Sequence, residues 1–249
     1  MVKRRFETRA IHAGQEPDPA TGAVCTPVYL TSTFAQSAPG VHQGYDYSRA
    51  DNPTRRALEG NLASLEGADH GICFASGVAA TAAVIHLLGE ESHVISCDDV
   101  YGGTRRLFSK VFTAAARSFT FLDLTEPTAF LEAITPKTKA LWIETPTNPL
   151  LKLVDIKTVC GLAHERGLKV VVDNTFMSPY FQHPLELGAD IVVHSCTKYI
   201  GGHSDLILGV AVTNDAEDAE MLRFIQKSVG AVPGPLDCFL ALRGTKTLA

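Results

Sequence analysis

A succession of short apolar runs, at 71–74, 93–97, 118–122, 140–143, 169–173, 190–194 and 206–212, alternates in this chain with segments of helical period. Unbroken apolar runs of this length suit strands buried on both faces, and helical connections between them imply parallel pairing. The expected class is therefore α/β, a mostly parallel sheet flanked by helices. In such sheets ligands bind beyond the carboxyl ends of the strands, so the residues that follow each run are the ones to inspect for chemistry.

The 249 residues, 45% of them hydrophobic, can bury a substantial core. Residues 1–45 are rich in Pro, Gly and Thr with little periodicity and are expected as an N-terminal arm laid over a surface. Residues 46–249 are expected as one large domain. Its first helix is well marked: Asn52 can cap it, Pro53 suits its first position, Leu58, Leu62 and Leu65 share a face, and Gly67 can end it.

Several function classes are disfavoured. A net charge of -5 without a basic cluster argues against a nucleic-acid surface. Cys25, Cys73, Cys97, Cys160, Cys196 and Cys238 stand singly, without metal-site spacing, and read as reduced core residues of a cytoplasmic protein with no metal. The basic N-terminus lacks the apolar stretch of a secretion signal. The uncharged stretch 71–89 approaches the length of a membrane span, yet its three glycines, Ser76, Thr81 and His86 favour strand, turn and helix. A dinucleotide-binding fold would need G-x-G-x-x-G after its first strand, and Phe74-Ala-Ser-Gly-Val-Ala-Ala is not that.

The sharpest chemical feature is Lys198, set among hydroxyls and glycines in Val193-His-Ser-Cys-Thr-Lys-Tyr-Ile-Gly-Gly-His-Ser-Asp205. A lysine amine attacks a carbonyl only when unprotonated, so a nucleophilic role asks for desolvation at the strand end; a solvated loop lysine is the plain alternative. Ser195 and Thr197 offer hydroxyls for a phosphate. Asp173 ends a β-branched run, where it can face a cationic ring nitrogen or simply cap a helix. Gly77 and Val78 open a helix after a strand, a place where free backbone N–H groups attract anions. Tyr101 precedes a flexible Gly-Gly and can lie against an aromatic ring. Asn148 is held between Pro146 and Pro149. Tyr47 and Arg49 precede the capped helix and form a donor pair suited to phosphate.

Taken in order, Tyr47-Ser-Arg-x-x-Asn-Pro-Thr-Arg55, Phe-Ala-Ser-Gly, Asp-Val-Tyr-Gly-Gly-Thr, Glu-Thr-Pro-Thr-Asn-Pro, Val-Asp-Asn-Thr-Phe and Thr-Lys-Tyr-x-x-Gly-His-Ser-Asp resemble the Cys/Met-metabolism family of pyridoxal 5′-phosphate (PLP) enzymes, in its trans-sulfuration branch. The resemblance runs from about Thr8 to Ala249, with Cys196 and Gly201 as departures that alter no polar ligand. It implies the aminotransferase-like large domain of PLP fold type I. It further implies that Lys198 holds the cofactor covalently, Asp173 pairs with the ring nitrogen, Tyr101 stacks on the ring and Asn148 contacts the ring hydroxyl. Gly77, Val78, Ser195 and Thr197 would hold the phosphate, and Arg106 would lie near the substrate. Tyr47 and Arg49 match residues that reach the phosphate of a neighbouring subunit, so a homodimer with shared active sites, assembled as a homotetramer, is expected.

By the same likeness the small amino-acid substrate is L-cystathionine, cleaved by γ-elimination to cysteine, 2-oxobutanoate and ammonia. The alternative is γ-replacement on an O-acylhomoserine, and a third reading is a PLP-binding remnant without turnover. Family chains continue into a smaller C-terminal domain whose arginine grips the substrate carboxylate; this chain is expected to stop at the start of the interdomain connector.

Overall fold

A computed structural model of the chain describes residues 4–249. Met1, Val2 and Lys3, the start of the segment read for a secretion signal, lie outside the described residues.

The strands are β1 (His70–Phe74), β2 (His93–Cys97), β3 (Ser118–Leu122), β4 (Thr138–Glu144), β5 (Lys169–Asp173), β6 (Ile191–Ser195) and β7 (Gly209–Thr213). They form one sheet in the order β1-β7-β6-β5-β4-β2-β3. The neighbours from β3 through β6 pair in parallel, and β7 runs antiparallel to both β6 and β1. The apolar runs therefore became strands for the expected reason: β2 and β7 are buried at every position, and β5 at Val170, Val171 and Val172.

Among the described residues eight α-helices accompany the sheet: α1 (Phe6–His12), α2 (Pro53–Glu66), α3 (Gly77–Leu87), α4 (Gly102–Arg106), α5 (Ile156–His164), α6 (Ser178–Phe181), α7 (Ala216–Val229) and α8 (Pro235–Thr245). Helix α4 passes into a π-helical turn, Leu107–Phe112. Helix α2 begins and ends where its caps require. The Asn52 side chain accepts from the N–H groups of Thr54 (3.0 Å) and Arg55 (3.4 Å), and Gly67 closes it with φ +74°. Leu58, Leu62 and Leu65 are all buried beneath it.

Two expectations need correction. The arm is less irregular than its composition suggests, because residues 6–12 form α1, which is held to α2 by Asn61 Nδ2 donating to the carbonyls of Arg9, Ala10 and Ala13. That anchor is a long-range side-chain contact, invisible to periodicity. Of the six free cysteines, five are buried, whereas Cys25 is exposed in the arm and is not a core residue. No helix among the described residues is long and apolar enough to cross a membrane; the uncharged stretch divides between β1 and α3.

Candidate active site

Register brings the ends of β1, β7 and β6 side by side, pairing Phe74 with Gly209 and Gly209 with Ser195. The chain leaving β1 turns at Ser76, whose hydroxyl caps α3 by accepting from the Ala79 N–H at 3.1 Å. The packing here tolerates no side chain. A Cβ built on Gly77 would lie 2.7 Å from Ser195 Cβ and 3.1 Å from its Oγ, and one on Gly209 would lie 2.2 Å from the Ser76 carbonyl oxygen. The N-terminus of α3 is thus pressed against Ser195. Because first-turn N–H groups have no intrahelical acceptor, those of Gly77 and Val78 stand beside the Ser195 hydroxyl as donors suited to an anion, a candidate cradle.

On the next strand the Asp173 Oδ1 accepts from the Thr175 hydroxyl (2.6 Å) and N–H (3.1 Å), while the Thr175 Oγ1 accepts from the Ser195 N–H at 2.8 Å. This turn ties the acid to the cradle and leaves Asp173 Oδ2 uncommitted among the described residues. Asp173 caps no helix. Burial raises its pKa against the lowering effect of the Thr175 bonds and of nearby His194. It is matched in register with Glu144 at the end of β4. Glu144 is pushed up to about 8, first by burial and then by the Asp173 charge, and its Oε2 accepts the Tyr101 N–H at 2.8 Å.

Tyr101 immediately precedes α4 without capping it by its side chain, is 44% exposed, and lies with its ring over Gly103, where a Cβ would meet Tyr101 Cε1 at 2.3 Å. Gly103 is therefore as necessary to the Tyr101 pose as Gly77 is to the cradle. Lys198 follows Ser195 in a tight turn, its N–H donating to the Ser195 carbonyl at 3.2 Å and its own carbonyl accepting from Gly202 at 2.8 Å. The expectation of a desolvated lysine does not hold in this chain: Lys198 is exposed. The Thr197 hydroxyl faces β7's approach, accepting from the Leu208 N–H at 3.1 Å and donating to its carbonyl at 3.3 Å. Val78, Asn148 and Arg106 are exposed, on the first turn of α3, the loop after β4 and the end of α4 respectively.

Tyr47 and Arg49 are grouped elsewhere. They stack on each other, 5.1 Å from guanidinium to ring centroid, and Arg49 Nη1 donates to the Lys227 carbonyl near the end of α7. With Val232 and Pro233 they line a groove of 390 Å³. Within one chain these two residues share no hydrogen bond with the cradle.

The donor set fits pyridoxal phosphate: a helix N-terminus and a serine for the phosphate, a carboxylate with one free oxygen for a cationic ring nitrogen, and an accessible amine one tight turn after the serine. A mostly parallel seven-stranded sheet with this cradle at its carboxyl edge is the large-domain architecture of PLP fold type I enzymes. The likeness is close: the chain superposes with a TM-score of 0.96 on a solved cystathionine gamma-lyase from Lactobacillus plantarum complexed with L-serine, at 46% identity over 98% of this chain and 64% of that one. The profile of the Cys/Met metabolism PLP-dependent enzyme family matches residues 7–249, and the chain belongs to that family. It is 55% identical to a probable cystathionine gamma-synthase of Herpetosiphon aurantiacus, over 98% of this chain and 76% of that protein. It is 54% identical to a cystathionine beta-lyase of Coxiella burnetii, over 99% of this chain and 64% of that protein. The chain thus spans under two thirds of the length of two of these three relatives.

Three residues of the site escape a reading by sequence. Thr175 links acid to cradle, Glu144 seats Tyr101, and Gly103 makes room for the Tyr101 ring. Glu144 carried a usable signal, since it is an acid ending a buried strand, as Asp173 is. Thr175 and Gly103 stand inside the quoted motifs, but their roles were not legible there, because each acts through a contact set by the folded backbone.

Proposed function

We propose that this chain is the cofactor-binding part of a carbon–sulfur lyase that cleaves L-cystathionine by γ-elimination to cysteine, 2-oxobutanoate and ammonia. The observation that carries the reading is the Gly77–Ser195 cradle, tied through Thr175 to Asp173 and followed at once by Lys198. Pyridoxal phosphate bound there supplies an electron sink for charge left at a substrate carbon.

The protein's own groups then divide the labour. Gly77, Val78, Ser195 and Thr197 bind the phosphate; the Thr197 hydroxyl can turn its proton from the 3.3 Å bond to Leu208 toward that anion. Asp173 keeps a proton on the ring nitrogen by its charge, and Tyr101 and Asn148 orient the ring. Lys198 would hold the cofactor through its amine, and the same amine, once free, would take the proton at the substrate α-carbon and return protons further along the chain. Arg106, exposed where α4 passes into the π-helical turn, meets the substrate. Exposure of Lys198, Tyr101 and Asn148 on one edge of the sheet suits a ligand that would cover them.

Tyr47 and Arg49 belong, in this reading, to the phosphate site of a second subunit, in a homodimer paired again as a tetramer. Their exposure and their distance in the bonding pattern from the cradle of their own chain support it. A cytoplasmic location is part of the same reading, supported by six free thiols.

Gamma-replacement on an O-acylhomoserine is the second reading, favoured by the synthase name of one close relative. Product analysis separates the possibilities. With L-cystathionine, 2-oxobutanoate and cysteine support γ-elimination, whereas pyruvate and homocysteine mean β-elimination. Formation of cystathionine from an O-acylhomoserine and cysteine, without the first activity, overturns the primary reading in favour of the second.

A further inference from the structure

Asn148 sits in a loop where Pro146 and Pro149 lack N–H groups, and the Leu151 N–H, donating to the Thr147 carbonyl at 3.1 Å, closes a turn across its centre. A further hold comes from outside. A single oxygen, Asp99 Oδ2, accepts from the Thr147 hydroxyl at 2.5 Å and from the Leu150 N–H at 2.8 Å, so one carboxylate grips the residues on both sides of Asn148-Pro149. The loop is then closed on itself: the Thr147 N–H donates to the Lys152 carbonyl (3.0 Å), and the Lys152 N–H to the Thr147 Oγ1 (2.9 Å). Lys152 Nζ extends the grip by bonding both oxygens of Asp98 at 3.0 Å and Asp123 at 2.7 Å.

Asp98 and Asp99 lie directly after β2, three and two residues before Tyr101. The stitch runs in the other direction as well, because Glu144, just before the Asn148 loop, accepts the Tyr101 N–H. The loops after β2 and β4 are therefore laced crosswise, an acid of each holding the backbone or hydroxyl of the other. We infer that Asp99 is a positioning residue, which sets the Asn148 side chain at a fixed place relative to Tyr101 by clamping Thr147 and Leu150.

This rests on the reading of Asn148 as a cofactor contact, and the test keeps the two apart. Apo-protein of the full chain, as wild type, Asp99→Ala, Asn148→Ala and the double variant, is titrated with pyridoxal phosphate and followed by absorbance of the bound chromophore. Hydrogen exchange at the Leu150 and Leu151 amides is measured without cofactor. Asp99→Ala is expected to weaken binding roughly tenfold, the scale of one charge-assisted hydrogen bond, and to speed exchange at Leu150. In the Asn148→Ala background the same change should cost less than about twofold, because a residue acting through Asn148 has nothing left to position. Asp99→Asn, which keeps an acceptor oxygen, should recover most of the affinity. Thr147→Val removes the hydroxyl, both its bond to Asp99 and its acceptance of the Lys152 N–H, without touching the acid, and provides a second variant if Asp99→Ala fails to fold; it should weaken binding in the same direction. Full multiplication of the two single effects in the double variant, or wild-type exchange at Leu150 in Asp99→Ala, overturns the inference. Wild-type binding by Asn148→Ala overturns instead the reading of Asn148 on which it rests.

Discussion

Replacing Gly77 by alanine sets two physical effects against each other, and the structure decides which wins. In a helix, alanine is favoured over glycine by about 1 kcal/mol, so propensity alone predicts a more stable protein. The built Cβ, however, lies 2.7 Å from Ser195 Cβ, 2.9 Å from its Cα and 3.1 Å from its Oγ, where ordinary contact begins at 3.4 Å. Ser195 cannot retreat, since it is paired with Gly209 and its N–H is held by Thr175. Helix α3 must move instead, and its start is already pressed on Gly209. Overpacking of this kind costs about 1–3 kcal/mol, so after the helix-propensity gain a net loss of up to roughly 2 kcal/mol is expected. The same shift carries the Gly77 and Val78 N–H groups away from the anion position. Losing one or two charge-assisted bonds should weaken pyridoxal phosphate about 10- to 100-fold. Urea unfolding of the apo-protein gives the first quantity and spectroscopic titration the second. Gly102→Ala is the control, because a Cβ there meets nothing within 4 Å. A Gly77→Ala protein as stable as wild type, with unchanged cofactor affinity, would refute the cradle.

Other outcomes follow from the same geometry. Borohydride reduction of the yellow, cofactor-loaded protein should fix the label on Lys198 by peptide mapping; a label on another lysine rejects its role. Asp173→Asn should reduce turnover far more than cofactor affinity, since the phosphate contacts remain, and equal losses would contradict a role at the ring nitrogen. Glu144 is raised from 4.5 to about 8 in the folded chain, so its proton adds stability that is complete below pH 4.5 and lost as pH climbs to about 8. Urea midpoints of the apo-protein should fall across that window and fall less steeply in Glu144→Gln; an unchanged slope assigns the titration elsewhere. Mixed dimers of Arg49→Ala and Lys198→Ala protomers should regain activity that neither parent has, and none will appear if each site is built from one chain.

Much of the fold was legible because it rests on local rules. The runs at 93–97, 118–122 and 169–173 coincide with β2, β3 and β5, and the helix bounded by Asn52 and Gly67 begins and ends at its caps. Boundaries slipped where a strand's last residue is polar: β6 runs on to Ser195, one residue past its apolar stretch, because ladder pairing with Gly209 continues beyond the hydrophobic signal. The last apolar run failed at its start. Residues 206–208 approach Thr197 without joining the strand, which begins at Gly209.

The division at the site has the same cause. By itself the sequence determined which groups stand at strand ends: an acid at 173, a lysine at 198, a glycine opening a helix at 77, and a tyrosine ahead of paired glycines at 101. Those placements depend on short-range periodicity and capping, which neighbouring residues encode. Only the tertiary structure decided that Ser195 leans on Gly77, that Glu144 seats Tyr101, that Asp99 grips the Asn148 loop and that Lys198 stands open. Each of these depends on strand order and register. A chain's local pattern says that a strand exists but not which strand lies beside it, so contacts across the sheet edge arise only when the whole sheet has formed.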